Sequence, residues 1–114
     1  MKTILTIVFL LIGTTAYADL KCGGTEPFWS LAIGEKKAVY EHQEGTKKEF
    51  DVVKQQDAAG ITPGIVRKYT LRRDSTTADA IVHKRRCSDG MNDRTYPYEI
   101  TFSVSDAFLT GCCR

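Results

Sequence analysis

No stretch of this 114-residue chain keeps the 3.6-residue apolar period of an amphipathic helix. An all-β fold is therefore expected. The chain is too short for a multidomain enzyme, and a Rossmann unit is excluded with it. Long hydrophobic runs are also missing. The longest, from Ile4 to Ile12, is polar only at Thr6 and falls well short of the about 20 residues a spanning helix needs. Charge of one sign is lacking: 16 basic against 14 acidic residues give +2, too balanced for a nucleic-acid-binding protein. The two histidines, His42 and His83, sit near no nucleophile-elbow pattern, so the inventory for hydrolase chemistry is thin. No C-x-x-C redox motif occurs. With 42% hydrophobic residues the core must be thin, and covalent staples would help so small a domain.

The amino terminus has the order of an export signal. Lys2 supplies the positive start, Ile4 to Ile12 the apolar segment, and Ala16-Tyr17-Ala18 the small-residue cleavage site. Residues 1–18 read as a secretory signal peptide and 19–114 as a single small β domain. Lipid anchoring would need a cysteine at the cleavage point, whereas Cys22 follows Asp19-Leu20-Lys21. The expected product is a periplasmic or secreted monomer with no membrane span after cleavage.

Four cysteines, Cys22, Cys87, Cys112 and Cys113, in an exported chain read as two disulfides. A bond between the neighbours Cys112 and Cys113 is disfavoured by disulfide geometry. Two connectivities remain: Cys22 to Cys112 with Cys87 to Cys113, or Cys22 to Cys113 with Cys87 to Cys112. Either set ties the first strand, a late loop and the last strand together.

Period-two alternation marks the strands. Trp29, Leu31 and Ile33 alternate with Ser30 and Ala32, and after a turn at 34–37 a second strand begins at Ala38-Val39-Tyr40. Further strands are expected at 50–53, 65–71 and 80–83, with Arg67 the polar exception on the apolar parity of its strand. Residues 55–62 read as the mobile loop. At the end, Tyr98, Ile100, Phe102 and Val104 alternate with polar residues, Ser105-Asp106 breaks the run, and 107–113 returns. A two-residue loop there sets Val104 against Ala107, Phe102 against Leu109, Ile100 against Gly111 and Tyr98 against Cys113. Cys113 then points into the core and Cys112 to the other face, beside Glu99. Six or seven short antiparallel strands without a covering helix predict a small antiparallel β-barrel or sandwich, the barrel preferred.

Two clusters concentrate chemistry. Gly24-Thr25-Glu26-Pro27-Phe28-Trp29 sets a carboxylate, a rigid turn and two aromatics in succession. Adjacent in an extended segment, Phe28 and Trp29 must face opposite sides, one to the core and one outward. The run from Cys87 to Tyr98 carries Asp89, Asp93, Arg94 and Tyr96 among turn formers. Its Asp89, Asn92 and Asp93 lack the alternating spacing and distant glutamate of a calcium loop, and Asx turns explain them. His42, His83 and Met91 give copper no spacing argument. No metal or cofactor is expected. Glu26 would pair with Arg94 if the disulfides draw both loops together. The basic pairs, such as Lys36-Lys37 and Lys84-Arg85-Arg86, read as solvated strand faces.

These two clusters, Cys-Gly-Gly-Thr-Glu-Pro-Phe-Trp at 22–29 and Cys-Ser-Asp-Gly-Met-Asn-Asp-Arg-Thr-Tyr-Pro-Tyr at 87–98, followed by the closing Gly111-Cys112-Cys113, resemble a bacterial envelope family. Its members are small exported proteins or predicted lipoproteins, sometimes beside a META domain. The resemblance implies export and a shared scaffold, and supplies no reaction. The expected function is a non-enzymatic binding module. Its contact surface would be formed by Glu26, Phe28, Trp29, Asp89, Asp93, Arg94 and Tyr96, its partner an envelope protein or small ligand. One specific version is an inhibitor of an envelope hydrolase such as lysozyme. The competing expectation is a metal-handling or thiol-redox periplasmic protein, or a small enzyme using Glu26 and Asp93.

Overall fold

The computed structural model describes residues 20–42, 44–90 and 93–114. The expected signal segment 1–18, together with Asp19, Gln43, Met91 and Asn92, lies outside the described residues. Ten strands follow in order: β1 (Leu20–Thr25), β2 (Phe28–Ile33), β3 (Lys37–His42), β4 (Lys47–Asp57), β5 (Val66–Arg73), β6 (Thr76–His83), β7 (Cys87–Ser88), β8 (Thr95–Tyr96), β9 (Tyr98–Val104) and β10 (Ala107–Cys113). Eight of them close an antiparallel barrel in the order β1-β10-β9-β6-β5-β4-β3-β2, while β7 and β8 form a separate two-stranded ribbon. Each barrel strand pairs with its neighbour in sequence. The exceptions are the step from β6 to β9, which the ribbon interrupts, and the closing pair of β1 with β10. Among the described residues no helix is long and apolar enough to cross a membrane.

The expected register of the last hairpin is the observed one: Val104 faces Ala107, Phe102 Leu109, Ile100 Gly111 and Tyr98 Cys113. Alternation dictates it, because a slip by one residue would turn Ile100 and Phe102, both fully buried, out to water. Ser105, the first residue of the two-residue loop, takes φ of +50°, and Asp74 does the same at +53° in the β5–β6 hairpin. Positive φ there matches the twist of the flanking strands.

Two expectations change. β1 is a full barrel strand, although Gly23 and Gly24 leave it without apolar alternation. Its missing side chains are replaced by the indole of Trp29, which lies over Gly24 and Gly111. β4 runs through Asp57, so 55–57 belong to a strand and not to a loop. A bulge between Val52 and Lys54 leaves Val53 without a partner in β5, and on the outward parity of Glu49 and Asp51 its side chain is 49% exposed.

The barrel interior is filled by side chains. Phe50, Phe102, Leu31, Ile33, Leu71, Ile100 and Cys113 are its largest fully buried members. Trp29 stacks on Phe102 with ring centroids 5.8 Å apart, and Tyr40 meets Phe102 edge-on at 5.2 Å. Burial pushes the Tyr40 phenol above its usual pKa.

Of the two open connectivities, the bonds are Cys22–Cys113 and Cys87–Cys112. Lys21 and Arg114 exchange both backbone hydrogen bonds across the β1–β10 seam. The next pair, Cys22 and Cys113, therefore occupies a non-hydrogen-bonded position, where opposed side chains come closest. The bond joins first strand to last from within the core. Cys112 points to the outer face and fastens the ribbon there through Cys87.

Candidate functional site

The ribbon owes its place to Cys87. Facing Tyr96 in the β7–β8 pair, it is bonded to Cys112 on the outside of β10, with Cα atoms 5.6 Å apart. Although Cys112 faces away from the core, the ribbon covers it to 6% exposure. The Tyr96 hydroxyl donates to Asp89 Oδ2 at 3.3 Å, and Gly90, at φ +76°, directs its N–H to Ser88 Oγ at 3.3 Å. The loop is thus tied to its own polar groups through a serine turn and a side-chain bond, where the sequence predicts Asx turns.

Between the ribbon and the β1–β2 hairpin lies a concavity of about 390 Å³, lined among others by Lys21, Phe28, Asp89, Arg94 and Tyr96. A second one, of about 420 Å³, adjoins it and is lined by Glu26, Ser88, Asp89, Glu99 and Thr110. Asp89 is common to both. Five residues singled out from the sequence, Phe28, Trp29, Asp89, Arg94 and Tyr96, are therefore brought to one concavity, with Glu26 around the corner. Glu26 and Arg94 line different, adjoining concavities. Asp93 is exposed and lines neither concavity.

Phe28 and Trp29 divide as adjacent strand residues must: Phe28 is 63% exposed and Trp29 only 3%. The indole belongs to the core, stacked on Phe102, with Nε1 donating to the Thr110 carbonyl at 3.3 Å. It holds the wall behind Phe28 in place. The β1–β2 turn that carries Phe28 contains a cis Glu26–Pro27 peptide.

Ligand sets weighed from the sequence are dispersed. His42 pairs with Trp29 at one end of the barrel, and His83 pairs with Val66 at the other. Among the described residues no three His, Cys, Asp or Glu side chains gather as a metal site. All four cysteines are in disulfides.

Sequence reasoning did not reach a third concavity, of about 480 Å³, at the barrel mouth where β4 meets β5. Arg67, Tyr69, Lys84 and Tyr98 line it together with apolar wall residues. Arg67 Nε donates to Asp57 Oδ1 at 2.9 Å, and the Gly64 N–H donates to the same oxygen at 3.2 Å. The Arg67 hydrogen bond, with help from the Gly64 N–H, holds the Asp57 carboxyl below its usual range. Hydrogen bonds to Asp57 and then Tyr69 raise Arg67. The available sequence signal was Arg67 itself, a charged side chain on an inward-facing parity. Comparisons of this chain with protein-family models, with curated proteins and with solved structures return no match.

Proposed function

We propose that this chain is an exported, non-enzymatic interaction module of the bacterial envelope, which binds a protein partner through the face shared by the ribbon and the β1–β2 turn. The observation that carries this reading is Phe28. It is a large aromatic left 63% exposed on the same concavity as Arg94 and Tyr96. Exposed aromatics beside arginine are the residue types that dominate protein interfaces energetically. The surface is also held in shape beforehand. The Cys87–Cys112 bond and the Tyr96 to Asp89 hydrogen bond fix the ribbon, which lowers the ordering cost of association. A barrel filled by its own side chains favours recognition at the surface over storage of a ligand deep inside. Two disulfides suit an oxidising compartment, as export by residues 1–18 would provide.

The specific version is inhibition of an envelope hydrolase such as lysozyme, the Arg94 loop facing a carboxylate-lined cleft. Lysozyme that keeps full activity and shows no binding at micromolar concentrations of the oxidised protein removes that version alone. The broader reading is tested with immobilised parent protein, Phe28→Ser and Phe108→Ser against envelope extract. Phe108 is 73% exposed and lines neither ribbon concavity, which makes it the control. One fixed partner retained by the parent and by Phe108→Ser, and lost by Phe28→Ser, is expected. Retention by all three alike, or by none, contradicts the reading.

A further inference from the structure

The mouth concavity is a cup closed from below. Its apolar wall comes from Leu20, Ile33, Ile65 and Val82, and Tyr69, only 6% exposed, closes the floor over Leu71. Its volume, about 480 Å³, falls in the range of small-molecule sites, about 300–1,000 Å³. The rim is fixed without any ligand. The Lys84 N–H donates to the Ile65 carbonyl at 2.7 Å, the Ala58 N–H to the Val66 carbonyl at 2.9 Å, and Gly64 is tied to Asp57.

The charge on this cup is one-sided. Arg67 and Lys84 line it, and among the described residues no acidic side chain does. Asp57 accepts from Arg67 Nε without lining the cup, and the next residue after Lys84, Arg85, has Glu99 as its partner at 3.7 Å. The guanidinium carries five N–H donors, of which the Nε bond to Asp57 uses one, and a further anion at the cup edge would take charge-assisted hydrogen bonds from it and from Lys84. The Lys84-Arg85-Arg86 connection adds a local field that draws anions to the mouth.

We propose that the barrel mouth is a second binding site, for a small amphipathic carboxylate. The aliphatic body packs against Leu20, Ile33 and Val82, and the head group meets Arg67 and Lys84. The site is independent of the ribbon face and stands or falls separately from the protein partner proposed there.

The test is calorimetric titration of the oxidised, processed protein with decanoate, and with decyltrimethylammonium as the cation of matched chain. Decanoate binds and the cation does not. Arg67→Gln and Lys84→Gln each weaken decanoate about ten-fold, whereas Phe28→Ser on the ribbon face leaves its affinity unchanged. Lys84→Gln keeps the backbone N–H that holds Ile65, so it reports on charge even if Arg67→Gln loosens the rim. Absence of decanoate binding overturns the proposal. So does equal binding of the cation, undiminished affinity in Lys84→Gln, or loss of affinity in Phe28→Ser.

Discussion

Gly24 and Trp29 face one another across the β1–β2 ladder, and a Cβ on Gly24 would overlap the indole nitrogen of Trp29. It would also come within 2.8 Å of the Thr110 carbonyl oxygen, a backbone atom that cannot rotate away. The indole reaches its position over the seam only because Gly24 and Gly111 have no side chain. Gly24→Ala is therefore expected to destabilise the barrel by about 1–3 kcal/mol, the usual range for overpacking a filled core. Urea unfolding measures it. In a Trp29→Phe background the penalty shrinks, since the smaller ring removes part of the clash, but does not vanish, since the Thr110 contact remains.

The two disulfides are expected to fail differently. Cys22–Cys113 spans 91 residues and closes the barrel, and in the chain-entropy model its removal as a double serine variant costs about 4–5 kcal/mol. Cys87–Cys112 spans 25 residues and corresponds to about 3–4 kcal/mol. Its loss frees the ribbon from β10 while the barrel ladder stays intact. Amide exchange should rise at 87–90 and 93–96 before it rises in β9 or β10. A uniform rise across the barrel would show that the ribbon bond stabilises the whole molecule and not one element.

Asp57 gives a pH signature at the mouth. Arg67, and after it the Gly64 N–H, lower its carboxyl below the ordinary aspartate value, so the charged form is favoured in the folded state. The resulting stability is fully present above that unfolded value and is lost as pH falls through the lower folded one. Asp57→Asn should accordingly sit below the parent in urea midpoint at neutral pH, and the gap should close as acid protonates the parent. Midpoints measured at neutral pH, near the ordinary aspartate pKa and well below it check this. A gap that persists at the lowest pH contradicts the ion pair as its source.

Much of this fold was legible because alternation is a strong signal where one face is fully buried. Tyr98, Ile100, Phe102 and Val104 left one register for the last hairpin, and that register alone sent Cys113 inward and Cys112 outward. The choice between the two disulfide sets still needed the place of Cys22, on the inward parity of β1 opposite Cys113. That parity was hidden by Gly23 and Gly24, whose absent side chains carry no periodicity. The bulge at Val53 was hidden for the opposite reason, since Val52-Val53 reads as ordinary strand. At the candidate site the split between Phe28 and Trp29 followed from strand geometry, but which of them faced inward depended on the glycines of two other strands. The mouth concavity escaped because its residues come from β1, β2, β4, β5, β6, β9 and the connections beside them, brought together only by closure of the barrel.

The most direct test of the ribbon face as a partner-binding surface is site-specific photo-crosslinking in intact cells. A benzophenone amino acid replaces the residue at position 28, at position 96, or at position 108. The account predicts one shared adduct of discrete mass from positions 28 and 96 and none from position 108. Adducts absent from position 28, or formed equally from position 108, would contradict it.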